Sequence, residues 1–508
     1  MTRLAVALIA LTWAAVAAAA TPAGQLTWAL HVTIASRFLD PAENDGLITP
    51  YMIQYALHDA LVKPMPGGIN TPSLAESWTV SKDGLAYDFK LRQGITFHNG
   101  APITPEDVRF SFERYRGSGA KILHERVARV ESVDARQVRF RLKEPWPDFM
   151  TFYGTTATGA GWIVPKKYVE QVGEDGFKKA PIGAGPYKFV SSSAGVDVVL
   201  EAYEKYWRKV PPIKRFVYRT IPEETSRAAA LKNGDADIAY LLTGPVADEV
   251  KRTPGLRLVA PLLDGVFWLD FPDQWDPKSP WHDRRIRQAA SVAVDRNAVN
   301  QAETLGFSKP VGNLIPPHFE FAKAMPPAPY DPAKAKALLA EAGYANGFDA
   351  GDFYPFPPYF SMGEAVAGYL QAVGIRTRIK TMERAAFQTA WREKKLHGVV
   401  LGIIGSAGNA ATRLEPYVTK TGVYANGVLP EVEQLWERQA RETDRKKREA
   451  LLHRIQDVLA EQVIHAPIYE LGFIWGVGPR VEQAGAGLIP GFAYSAPVED
   501  LALKRGTP

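Results

Sequence analysis

No cysteine occurs among the 508 residues. Disulfides are therefore excluded, and packing and hydrogen bonding must stabilise the fold unaided. The same absence removes the thiol on which a lipoprotein anchor is built. Past the N-terminal segment, no stretch is long and apolar enough to span a bilayer, which takes about 20 apolar residues. The nine histidines contain no His-Glu-x-x-His or His-x-His grouping, so local spacing builds no zinc site. His98, His124 and His465 read as core or surface residues. There is no Gly-x-x-x-x-Gly-Lys-Ser/Thr segment to cradle a phosphate. Gly183-Ala184-Gly185 lacks the third glycine of a dinucleotide fingerprint and reads as a turn. Basic residues number 60 against 55 acidic ones, a formal charge of +5 spread thinly rather than gathered in a run. Without a phosphate-tracking run of Lys and Arg, nucleic acid is not expected as a partner. No motif calls for a metal or another cofactor.

What is present describes an exported globular chain. An apolar share of 46% with 23% charged residues is ordinary for a folded protein, and the length predicts more than one domain. At the N-terminus, Arg3 precedes an apolar run over 4–16, and Ala18-Ala19-Ala20 offers the small residues a signal peptidase accepts. Residues 1–20 are expected to be a signal peptide cleaved after Ala20, with Ala23 as second choice. The mature protein is expected to be soluble and periplasmic, not a lipoprotein.

Periodicity then predicts alternating strands and helices. Tyr87, Phe89 and Leu91 alternate with Asp88, Lys90 and Arg92, as in a half-buried strand. Asn99-Gly100 signals a turn. Thr104 is a plausible N-cap for a helix over 105–114, with Pro105 first and two acids, Glu106 and Asp107, in its positive first turn. Further helices are expected over 51–61, 225–233, 284–294, 332–343, 363–373 and 385–394. A largely helical stretch covers 431–461, broken near Asp444. Strands are expected over 236–240, 266–271, 376–381 and 399–404. The residues 353–360, Phe-Tyr-Pro-Phe-Pro-Pro-Tyr-Phe, read as an aromatic-proline loop.

Several blocks carry a resemblance. They include Pro72-Ser73-Leu74-Ala75-Glu76-Ser77-Trp78, then Gly94-Ile95-Thr96-Phe97-His98-Asn99-Gly100 and Ile103-Thr104-Pro105-Glu106-Asp107-Val108. Later come Gly183-Ala184-Gly185-Pro186-Tyr187, Tyr206-Trp207, Arg227 to Asp237, Asp283-Arg284-Arg285-Ile286-Arg287 with Asp295-Arg296, and Tyr330-Asp331-Pro332. Together they closely resemble the peptide/nickel (family 5) class of extracellular solute-binding proteins. The resemblance implies an α/β, two-lobe periplasmic binding protein fold with an extra subdomain in the first lobe and a hinge of two crossing strands. On this reading lobe I spans 21–263 plus 478–508, with the subdomain at about 52–180, and lobe II spans 264–477. It also implies a monomeric receptor without catalysis. The receptor closes on a small organic solute, peptide or non-peptide, and delivers it to the membrane permease of an ABC importer.

The sequence departs from the family where peptide binders hold a peptide. Those members place an Asp after a Gly-Trp strand end to pair with the α-ammonium. Here Ile403 stands where the Trp is expected and Ser406 where the Asp is, and no acid occurs between Leu401 and Leu414. The cation expected for the peptide carboxylate before the 363–373 helix is also missing. Aromatic side chains occupy that region instead. The expected ligand contacts are Asp45, Leu47, Trp268, Tyr354, Phe356, Tyr359, Arg384, Ser406, Asn409 and Trp475. Aromatic faces suit flat or sugar-like solutes, and Arg384 suits an acidic group. Capping of the following helix is an equal alternative for Asp45.

One rival belongs to another class. Ser118-Gly119-Ala120-Lys121 and Lys420-Thr421-Gly422 match two short motifs of penicillin-recognising acyl-enzymes. The Ser lies in a Gly-flanked loop, however, and Tyr424-Ala425-Asn426 follows the second motif in the wrong order.

Overall fold

The computed structural model describes residues 21–43, 49–154, 158–405, 408–489, 492 and 495–506. The expected signal peptide, 1–20, lies outside them.

Two large sheets organise the chain. The first has seven strands in the order Tyr187–Ser193, Asp197–Ala202, Ile213–Thr220, Ala23–Leu30, Ile238–Ala239, Trp475–Val477 and Arg257–Val259. Its centre is parallel, with Ala23–Leu30 running alongside both Ile213–Thr220 and Ile238–Ala239. The second has six strands in the order Lys309–Pro310, His465–Gly472, Leu262–Asp270, Val399–Gly405, Phe348–Pro355 and Ile375–Ile379. In it Phe348–Pro355 is parallel to both of its neighbours. Parallel strands are covered on both faces, which is why Val399, Val400 and Leu401 are consecutive apolar residues and all fully buried. The chain crosses between the sheets twice, from Arg257–Val259 into Leu262–Asp270 and from His465–Gly472 into Trp475–Val477. The result is the two-lobe architecture with two hinge strands.

A four-stranded antiparallel sheet, ordered Ala75–Val80, Ala86–Leu91, Gln137–Leu142 and Val127–Ser132, forms a unit with its own core. That core includes Phe89, Phe97, Phe112, Phe140, Phe149 and Tyr153. The alternation of Tyr87, Phe89 and Leu91 directs these three side chains into it. The helix Pro105–Glu113 begins with a capping box. Asp107 Oδ2 accepts from Thr104 N at 2.9 Å, and the Thr104 side chain faces the third helical residue.

The Gly-Ala-Gly-Pro-Tyr turn is glycine-rich for a steric reason. A Cβ on Gly183 would lie 1.9 Å from the Leu57 carbonyl oxygen, and one on Gly185 would lie 2.6 Å from that of Ala56. At Gly234, by contrast, the requirement is conformational: its φ of 82° ends the helix Glu224–Asn233 in the left-handed region.

Two expectations change. The helix predicted over 51–61 is Thr49–Leu57, followed by the strands Asp59–Ala60 and Val62–Met65. The backbone from Ala60 to Leu61 is drawn into hydrogen bonds with Ser73, Leu74 and Ala75, so helical spacing loses to tertiary pairing. The aromatic-proline loop is also more ordered than its composition implies. Phe353, Tyr354 and Pro355 end a strand by pairing with Val399, Val400 and Leu401, and Phe360 already begins the helix Phe360–Ala372. Among the described residues no helix is long and apolar enough to cross a membrane.

Candidate functional site

In open α/β sheets the loops at the carboxyl ends of parallel strands form the binding crevice. In the first sheet those ends lead into His31, into Ile221 to Glu224 and into Tyr240 to Thr243. In the second they lead into Phe356 to Tyr359, into the approach to Arg384 and into the residues after Gly405. The two edges meet. A small cavity is lined by Leu241, Leu242 and Thr243 from one lobe and by Glu303, Tyr359 and Tyr469 from the other. Arg384, in the second lobe, acts electrostatically on His31 in the first.

The first edge is held rigidly. Arg227 is buried and donates to the carbonyls of Tyr240 (2.8 Å), Leu241 (2.7 Å), Ile221 (2.9 Å) and Pro222 (2.7 Å), joining two strand ends. Glu224 caps the next helix by accepting from Thr243 N at 2.5 Å. His31 stacks on Tyr240 with ring centroids 5.4 Å apart, and its Nδ1 has no hydrogen-bond partner. Burial, then the charges of Arg227 and Arg384, lower the His31 pKa to about 3, so the ring is neutral. On the second edge the Arg384 guanidinium lies over Phe356, 5.3 Å from its centroid. Tyr359 packs edge-on against Phe267 at 4.9 Å. Its phenol pKa is pushed up to about 12 by burial, which outweighs the opposing charge of Arg384.

The predicted contacts thus separate. Phe356, Tyr359 and Arg384 are brought together at the interlobe edge. Tyr354 is half-buried and directs its hydroxyl to Asp352 Oδ2 at 3.3 Å. Trp268 is fully buried beside Tyr417 (5.0 Å) and Trp391 (6.1 Å), within one lobe. Trp475 is fully buried beside Trp28 (4.9 Å) in the other. Both are packing residues here, since neither ring retains exposure. Asp45, Leu47 and Ser406 lie outside the described residues.

Asn409 has a different task. It caps the helix Ala410–Val418, and its Nδ2 donates to Asp148 Oδ1 at 2.6 Å. Arg448 Nη2 donates to the other oxygen of Asp148, also at 2.6 Å, and Arg448 Nε donates to Gln439 at 3.1 Å. The Asp148 and Arg448 side chains are only 12% and 5% exposed. Asp148 precedes the helix Phe149–Tyr153 of the four-stranded unit, whereas Asn409 and Arg448 belong to the six-stranded lobe. This clasp ties the four-stranded unit to the six-stranded lobe at a distance along the chain from the hinge. Nothing in the spacing of these residues signalled it, because its partners are separated by 261 and 300 positions.

A second polar cluster sits on the crossing strands. His318 Nε2 lies 2.7 Å from Asp264 Oδ1, and its Nδ1 lies 3.4 Å from Glu470 Oε1. Arg413 donates to the Asp264 carbonyl and lies over Phe319 at 5.3 Å. Burial lowers the His318 pKa, but the two carboxylates outweigh it and hold the group at about 9. A histidine held above its ordinary 6.5 contributes stability that is complete below pH 6.5 and lost as pH rises through 9. Melting temperature is therefore expected to fall between those values, and His318→Gln is expected to flatten the slope. A wild-type-like slope in the variant would refute the assignment.

Ser118 and Lys121, the rival nucleophile and base, are both exposed on the surface, which provides no walls for a substrate.

Comparison with known proteins agrees with this geometry. The model of the bacterial extracellular solute-binding proteins, family 5, matches residues 71–425. The chain is 29% identical over 451 residues to heme-binding protein A of Haemophilus influenzae, covering 81% of each. It is 29% identical over 360 residues to the glutathione-binding protein GsiB of Salmonella typhi, covering 68% of each. Its fold matches the periplasmic binding protein DppA of Helicobacter pylori in complex with the peptide STSA. That match has a TM-score of 0.75 at 24% identity and covers 95% of this chain and 98% of that one. The relatives are binding proteins, and the family works in the periplasm or outside the cell. With the hinge strands, the facing strand ends and the family match in hand, the chain belongs to the family 5 extracellular solute-binding proteins, the substrate-binding components of ABC importers.

Proposed function

We propose that this receptor captures an organic solute other than an ordinary peptide with a free α-amine. The observation that carries the reading is the state of the acids beside the strand Val399–Gly405. That strand pairs Gly405 with Gly265, next to Asp264, and neither it nor the chain to Leu414 contains an acid. Of the acids on the crossing strands, Asp264 is engaged by His318 at 2.7 Å, and Glu470 Oε1 lies 3.4 Å from the same ring without a hydrogen-bond partner. A peptide ammonium closed into the cleft would find no acid on the stretch from Leu401 to Leu414, and a buried unpaired charge is costly. A relative named for heme supports a cargo other than simple peptides.

The lobes are proposed as 21–263 plus 478–508 and 264–477, with the subdomain near 52–180; the two chain crossings support this division. The mature chain is proposed to begin after Ala20, to carry no lipid, to act as a monomer without catalysis, and to bind no nucleic acid. Phe356, Tyr359 and Arg384 are proposed to form the solute wall, together with Asp45, Leu47 and Ser406.

A thermal-shift panel of tripeptides, their N-acetylated forms and non-peptide organic solutes tests the cargo. A solute at a hundred times its Kd stabilises the folded form by about 2.7 kcal/mol. Stabilisation is expected from non-peptide solutes, with N-acetylation making no difference to the peptides. Strong stabilisation by free peptides that acetylation abolishes would remove the reading.

A further inference from the structure

We infer that the cleft holds its solute by a carboxylate, gripped between Arg384 of one lobe and His31 of the other, with Phe356 and Tyr359 as the flanking wall. This deepens the solute-receptor reading above and rests on it.

Most of the charges around His31 are already engaged. Arg227 is the other cation near His31, and its donors are occupied by four backbone carbonyls. Glu224 caps Thr243, and Glu303 accepts from Ser361 Oγ at 2.7 Å. Arg384 is exposed, rests on the face of Phe356 and has no carboxylate partner among the described residues. A guanidinium presents its donors in a planar fork that matches a carboxylate. His31 supplies the opposing side. As a neutral imidazole it carries one N–H donor, its Nδ1 has no partner, and Tyr240 fixes the ring plane. The field at His31 is already cationic, because Arg227 and Arg384 both oppose its protonation. An anion between the lobes would relieve that repulsion, and a cation would worsen it. Contact with both lobes also gives the anion differential affinity for the closed form, the only way a ligand can shift the equilibrium.

The experiment uses benzoate and its uncharged counterpart benzamide as probes, titrated into the mature protein. Binding is read by calorimetry and by the His31 ring signal in NMR. Benzoate is expected to bind at least tenfold more tightly than benzamide and to move the His31 signal saturably. Arg384→Gln is expected to lose at least tenfold in benzoate affinity, Arg384→Lys to retain part of it, and Arg392→Gln, at the far end of the same helix, to behave as wild type. Equal binding of the two probes, unchanged affinity in Arg384→Gln, or a static His31 signal would each overturn the subsite. Those failures would leave the broader cargo reading standing. Amine-dependent peptide binding in the melting panel would remove that reading whatever benzoate does.

Discussion

Asp148→Ala is expected to spring the molecule open and to weaken solute binding by two to three orders of magnitude. The Asp148 carboxylate answers two buried donors from the opposite lobe, Arg448 and Asn409, each at 2.6 Å. Removing one partner of a buried pair leaves an uncompensated charge, at a cost of about 3–5 kcal/mol. Here the cost falls on the closed form, because opening returns Arg448 to water. Each loss of about 1.4 kcal/mol in closure then appears as roughly a tenfold loss in apparent affinity. Small-angle scattering should show a larger radius of gyration in the variant. The double variant Asp148→Ala/Arg448→Met should recover much of the affinity, since it removes the stranded charge as well. Unchanged scattering and affinity in the single variant would show that the hinge alone sets closure.

The second large effect is expected at Asp59, in folding rather than closure. Asp59 pairs with Lys63 at 2.9 Å, with side chains 0% and 3% exposed. It also accepts from Ser73 Oγ (2.6 Å), Tyr206 OH (3.0 Å) and Trp207 Nε1 (2.8 Å). Asp59→Ala would strand a buried ammonium and three donors, destabilising the fold by about 3–5 kcal/mol from the charge alone. Asp59→Asn keeps an acceptor oxygen and should lose less. Urea unfolding followed by tryptophan fluorescence measures both. Equal midpoints for wild type and Asp59→Ala would contradict the account.

The Asp59 cluster explains which parts of the protein could be read from its sequence. Ser73, Tyr206 and Trp207 stand out as family motifs, and the structure gathers all three on one carboxylate. Arg287 and Arg296 stand out likewise. Arg287 donates to the carbonyls of Trp281, His282, Gln462 and Val463, and Arg296 to those of Ser291 and Pro467. Such motifs describe scaffold, and scaffold depends on local spacing or on arginines that satisfy backbone carbonyls. The site was less legible. Phe356 and Tyr359 could be proposed from the aromatic-proline composition of 353–360, and Arg384 because it follows the strand pattern over 376–381. His31 could not, since one histidine after a strand carries no signal until Tyr240 and Arg384 are seen beside it. Trp268 and Trp475 looked like cleft aromatics because both fall near the crossings, but both rings are fully buried, one beside Tyr417 and the other beside Trp28. The Asp148 clasp depends wholly on long-range geometry.

The facing strand ends carry a consequence for how such a receptor can be changed. His31, Phe356 and Tyr359 lie in short connections just after strands, and Arg384 opens the helix that follows one, whereas the strands themselves are fixed by buried side chains and by arginine-to-carbonyl ties. Recognition and framework are thus written in separate stretches of chain. Transplanting the connections at His31, 356–359 and 380–384 from one receptor to another should carry cargo preference with them, while expression, folding and permease docking stay with the recipient.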